Sequence, residues 1–133
     1  MQAMTNRKAP EDARRALKRM LANGALTGLP TRPSDQALLA QLAASRFGAE
    51  KEYREKEVNE ELIRWLATFC DPYGIDHVTL RRLMVDSRLL MRDKPGMSYR
   101  VNAAKVEELD AQPAQVLAEV ERERAARKEK HGH

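Results

Sequence analysis

The sequence has a single cysteine, Cys70, in 133 residues, so no intramolecular disulfide framework can form and a reducing compartment is the simplest setting. No apolar run approaches the roughly 18 residues a membrane span needs, and Met1 to Asn6 lacks the apolar stretch of a secretory leader. The expectation is a cytoplasmic protein with no membrane contact. A Gly-rich phosphate loop, an HExxH pair and a nucleophile elbow are all missing, as are internal repeats and low-complexity tracts. Cys70, Asp71, Asp76 and His77 are close in sequence, but a zinc site takes about four ligands, and one Cys with one interior His falls outside the recognised spacings. Cys70 ends a buried helical face with no stabilising charge in its own turn, which makes it a small hydrophobe more than a reactive thiol. Glu55, Glu57, Glu60 and Glu61 share a solvated face with no apolar pocket to raise a pKa. These absences predict no enzyme, no metal and no cofactor.

What is present is globular composition, with 42% hydrophobic and 33% charged residues, in a length suited to one domain. The net charge of +4 permits a nucleic-acid partner without requiring one. Its distribution is uneven. Residues 1–33 carry seven Lys/Arg against two Asp/Glu and residues 71–102 six against four, whereas 34–70 and 103–133 are slightly acidic.

Apolar periodicity predicts a helix over 11–22 (Ala13, Leu17, Met20, Leu21), followed by Gly24. Its outer face, Arg14, Arg15, Lys18 and Arg19, reads as solvated surface more than a phosphate-facing patch. Residues 24–33 form a Gly/Pro-rich connector, after which Ser34 or Asp35 is placed to cap a second helix buried through Leu38, Leu39, Leu42 and Ala43 and closed by Phe47 and Gly48. A third helix, 55–69, gathers Val58, Leu62, Trp65, Leu66 and Phe69 on one arc, with Trp65 as a packing anchor. DPYG at 71–74 is a turn, and Asp76 is the expected N-cap of a fourth helix, 76–87. Leu80, Leu83, Met84 and Ser87 share its inner face, while His77, Val78, Arg81 and Arg82 lie on the opposite arc, so both arginines are expected to project away from the core. LLMRD (89–93) and MSYRV (97–101) alternate around Lys94, Pro95 and Gly96 as a β-hairpin. From Pro113 a last helix has only Val116, Leu117 and Val120 as apolar contacts, and then a charged tail with His131 and His133.

The expected fold is mainly α with a small β-hairpin: a winged helix-turn-helix with extra N- and C-terminal helices. Residues 1–10 form a flexible N-terminus, 11–103 the winged-helix-like domain and 104–133 the C-terminal helix and tail. Two helices joined by a tight turn make 55–69 the supporting helix, 76–87 the recognition helix and 89–101 the wing. Arg81 and Arg82 are then candidates for guanine or phosphate contacts, His77 and Thr79 for hydrogen bonds to base or phosphate, and Arg92, Lys94 and Arg100 for wing contacts to the DNA backbone.

Three ordered blocks also carry a family resemblance: YREKEVNEELIRWL (53–66), LRRLMVD (80–86) and LLMRDKPGMSYRV (89–101). From about Leu21 onward the chain resembles a bacterial domain-of-unknown-function family with a Y-x-E-K-E-V-N opening, an L-R-R-x-L-V-D helix and an R-D-x-x-G-x-x-Y hairpin. Met84 and Ser87 depart from that pattern, and the helix after residue 103 falls outside it. The resemblance implies a module found alone or joined to an arsenic-repressor-type regulator domain, with its own biochemical role unestablished and no known catalytic residues.

Two functions follow as expectations. One is a transcription-regulator-type protein binding duplex DNA through 76–87 and its wing, as a homodimer held by the terminal helices 11–22 and 113–129, whose apolar stripes have no obvious partner in the chain. The other is a protein-interaction or regulatory module in which the same helix docks on an acidic partner without touching DNA.

Overall fold

Helix α1, Pro10–Met20, begins on a proline, whose missing N–H is harmless in a first turn, and stops before Gly24, which takes a φ of 109°. The computed structural model describes residues 10–93, 98–109 and 111–131. Within them the chain continues through α2 (Pro33–Ala44), β1 (Tyr53–Arg54), α3 (Glu55–Leu66), α4 (His77–Asp86), β2 (Leu90–Arg92), β3 (Ser98–Val101) and α5 (Pro113–His131). The molecule is thus mainly helical, with five helices and a three-stranded antiparallel sheet among the described residues. The segment 1–9, expected to be flexible, and the expected hairpin turn Lys94, Pro95 and Gly96 lie outside the described residues, as does His133.

The expected stripes face the core, with Met20, Leu83 and Ser87 half-buried at its margin. Leu17 and Leu21, Leu39 and Leu42, Val58 and Leu62, and Leu80 and Met84 join one core that runs from Ala13 to Val120. Trp65 sits in it edge-on to Phe69, with ring centroids 4.7 Å apart. The sheet order is β1-β3-β2, with Leu90 opposite Val101 and Tyr53 opposite Tyr99. Leu90, Tyr99 and Val101 face the core while Met91 and Arg100 face water, the alternation read from the sequence. The third strand, β1, was not expected. It adds two residues that lay the start of α3 alongside β3.

Several expectations are corrected. Neither Ser34 nor Asp35 caps α2: Arg32 is the N-cap residue with no side-chain cap bond, and Pro33 starts the helix. Asp35 is instead buried and receives both arms of the Arg19 guanidinium, at 2.7 and 3.0 Å. The basic face of α1 is correspondingly engaged. Arg14 pairs with Glu119, and Lys18 Nζ lies 3.3 Å from Glu123. A step of four residues on α1 thus matches a step of four on α5, so the two helices run parallel. Their apolar stripes are covered within the chain, with Leu17 and Val116 each 1% exposed, which removes the ground for assigning these stripes to a homodimer.

The link between α3 and α4 is not a tight turn. It spans residues 67–76, because Thr68 and Phe69 already bond back three residues, to Trp65 and Leu66, and the last expected turn of α3 is lost. The connector is nevertheless fixed. Leu26 N–H donates to Phe69 O (3.1 Å) and Asp71 N–H to Leu26 O (2.8 Å), forming a parallel bridge between Leu26 and Cys70. Gly74 closes the DPYG turn, and a Cβ there would stand 2.7 Å from Leu26 O, so only glycine fits this approach. At its far end α4 stops on Arg88 in the left-handed region (φ 63°), where Leu89 N–H reaches Met84 O at 2.9 Å.

Candidate interaction surface

α4 is the element to which the sequence assigns recognition. It packs against α2 and α3 through Leu80 and Met84, which fixes what its other side can offer. Asp76 is its N-cap as expected: Oδ2 accepts from both the N–H and the hydroxyl of Thr79, each at 3.2 Å. Desolvation opposes ionisation of this carboxyl, but the bonds from Thr79, the Val78 N–H and the adjacent His77 outweigh it and hold the pKa below the ordinary Asp range. The folded value is therefore depressed. The cap's stabilisation is complete above the unfolded pKa of about 4 and disappears as pH falls through the lower folded value. Asp76→Ala is expected to cost about 1 kcal/mol at pH 7, whereas Asp76→Asn retains an acceptor and most of the stability but loses this acid-dependent component. Urea unfolding of the three proteins at pH 7 and pH 3 measures both effects.

Of the seven expected DNA-contacting residues, the six that the structure describes do not assemble into one basic face. Thr79 is committed to the cap, and His77 is half-buried with Nδ1 3.8 Å from Asp76 Oδ1. Arg81 does not project to water. Its side chain is 13% exposed, donates to Asn59 Oδ1 on α3 and comes within 3.9 Å of Glu55 Oε1. Glu55 in turn accepts from the buried Tyr99 hydroxyl at 2.8 Å. Arg92, on β2, stands opposite Tyr99 in the strand register, so two of the expected DNA contacts border a cluster joining α3, α4 and the β2–β3 pair. Burial first, and then the Glu55 bond, push the Tyr99 phenol up, with Arg92 and Arg81 opposing. Arg100 pairs across to Glu52. Lys94 lies outside the described residues. That leaves Arg82, which is exposed and has no hydrogen bond or ion pair among the described residues. Its exposed neighbours along α4 are Asp76, Thr79 and Asp86.

A feature the sequence reading passed over lies at the α3–α4 connector. Ile63 is 51% exposed and Tyr73 entirely so, and between them opens a groove of about 370 Å³ floored by Leu66 and Ile75. Two signals were available: Ile63 lies outside the apolar arc of its helix, and an aromatic occupies the middle of a turn. A second, more open hollow of about 770 Å³ lies between the end of α2 and residues 101–109 with Gln112, over Phe47 and Val106. Gln41 clamps its wall by donating to Lys105 O and accepting from Glu107 N–H, both at 2.8 Å.

Cys70 is buried, and its thiol is pushed up to about 12 by desolvation and then by Asp71. Among the described residues no group of three or more His, Cys, Asp or Glu side chains is placed to hold a metal ion. No helix among them is long and apolar enough to cross a membrane.

Comparison with known proteins gives one positive result, a family match over residues 25–101 that leaves α1 and α5 outside. The chain has no match among curated proteins and none among solved structures. The matched stretch contains α2, the whole sheet, α3, α4 and the three blocks of the resemblance, and it covers more than half of the sequence. The chain therefore belongs to the family described as uncharacterized protein conserved in bacteria (DUF2087).

Proposed function

We propose that this chain is a regulatory module of winged-helix type that works through contact with another protein at the α3–α4 end of the fold, without direct contact with duplex DNA. The winged-helix part of this reading is supported by connectivity: a strand, two helices and a hairpin follow one another, and the first strand pairs with the last. The part concerning DNA is carried by one observation, the withdrawal of Arg81 onto Asn59 and Glu55. A recognition helix enters a major groove with its N-terminal half, where guanidinium groups read guanine and neutralise phosphate. Here that half presents Asp76 and Thr79, and Arg82 stands alone. Attachment to an arsenic-repressor-type regulator, one of the two settings that the resemblance implies beside occurrence alone, would leave DNA contact to the other domain and regulation to this one.

Fluorescence anisotropy with random-sequence duplex at low salt tests the proposal. No saturable binding is expected at micromolar protein, the range in which non-specific DNA-binding proteins already bind. In parallel, a photo-crosslinking amino acid at position 73, on the exposed α3–α4 connector, is expected in the bacterial host to give adducts that nuclease leaves intact. Duplex binding that weakens log-linearly with salt, with a slope flattened by Arg82→Ala, would overturn the reading in favour of a DNA-binding regulator.

A further inference from the structure

We propose that the groove between Ile63 and Tyr73 receives an apolar anchor residue, flanked by lysine or arginine, from a partner protein. The inference rests on the protein-contact reading above and specifies the site and the chemistry of the partner. Ile63 and Tyr73 are two of three large hydrophobic side chains exposed among the described residues, and they border the same hollow. Large apolar groups exposed side by side over an apolar floor mark binding surfaces more than inert exterior. The volume, about 370 Å³, holds one or two large side chains. That suits the anchor of a peptide segment, and the lining has no set of convergent donors of the kind that orients a metabolite.

The groove is also preformed. Its connector is tied to Leu26 by two backbone hydrogen bonds, Gly74 is held against Leu26 O, and Asp76 caps the next helix. Little ordering remains to be done on binding, and this cost often decides the affinity of a small interface.

Charge selects the flanks. Asp71 and Asp76 stand on the rim, both exposed, and His77 is the one basic side chain in the lining. Glu60, three residues before Ile63 on α3, is exposed on the same side of the helix. Arg64, the nearest arginine in sequence, is occupied by Glu61. Complementarity thus favours a basic segment, the reverse of the acidic partner that water-facing arginines on α4 would attract.

Random peptides displayed on phage and selected against the full chain test this directly. The expected consensus is a Leu, Met or aromatic anchor next to Lys or Arg. A synthetic consensus peptide should bind about tenfold or more weakly to Ile63→Asp and to Tyr73→Ala, a few-fold more weakly to Asp71→Asn, and equally well to Arg82→Ala. Tyr73 is fully exposed, so its replacement reports on binding and not on folding. Recovery of acidic peptides, of peptides indifferent to Tyr73, or of none would overturn the proposal. Peptides that respond to Arg82→Ala and ignore Tyr73→Ala would remove the groove and leave the protein-contact reading standing. Salt-sensitive duplex binding would remove both.

Discussion

Leu17→Ala is expected to destabilise the monomer by about 3 kcal/mol, lowering the melting temperature by roughly 10–15 °C, the usual result of emptying a fully buried leucine site in a domain of this size. Leu17 is 1% exposed within the chain, on a helix outside the stretch shared with the bacterial family. The test separates two architectures. If α1 served chiefly to join two copies, the substitution would act through the dimer, and the melting temperature would rise with protein concentration. With α1 packed on α5 and α2 in the same chain, the loss appears in full at every concentration. Thermal unfolding of wild type and variant over a hundredfold concentration range decides the matter, and only the intrachain arrangement gives parallel, concentration-independent transitions.

The second large effect concerns two adjacent arginines that look alike in sequence. Arg81→Ala is expected to cost about 2 kcal/mol and Arg82→Ala less than about 0.5 kcal/mol. Arg81 donates to Asn59 and lies beside Glu55, so its removal leaves a carboxylate and an amide without their charged neighbour. Among the described residues Arg82 has no hydrogen-bond or ion-pair partner that its loss would strand. A double-mutant cycle with Asn59→Ala isolates the pair, and the combined loss should fall short of the sum of the two single losses. Equal, negligible effects of the two arginine variants would mean that both guanidiniums point to water, and would restore the helix face that the sequence suggested.

Those two arginines show where the sequence stops being informative. A helical wheel correctly put Leu80 and Met84 inside and Arg81 and Arg82 off that face, because burial follows a period that neighbouring residues reveal. It could not say that the first turns of α3 pass beside Arg81, since Glu55 and Asn59 are 26 and 22 residues away and are brought there by β1 pairing with β3. A two-residue strand has no alternation to detect. The hairpin was readable from its apolar and polar positions, most clearly in β3 where Tyr99 and Val101 are buried and Arg100 exposed, as were the stripes of α1, α2 and α3 and the Asp76 cap. The pairing of α1 with α5 joins residues 105 apart, as in Arg14 with Glu119, and each stripe taken alone fits a second copy as well as it fits the other helix. The groove was missed for a different reason. Ile63 and Tyr73 are isolated exceptions to patterns that were otherwise satisfied, and exceptions become meaningful only when two of them meet.

The chemistry of Cys70 has a practical consequence. Its thiol remains almost wholly protonated at neutral and mildly alkaline pH, and it is sheltered from solvent. Electrophilic probes that need a thiolate will pass it by under conditions that label an ordinary exposed cysteine within minutes. Tyr73→Cys or Arg82→Cys can therefore be tagged selectively in the native background, giving fluorescent or paramagnetic reporters at the rim of the groove or on the outer side of α4 while the one natural sulfhydryl stays in its place in the core.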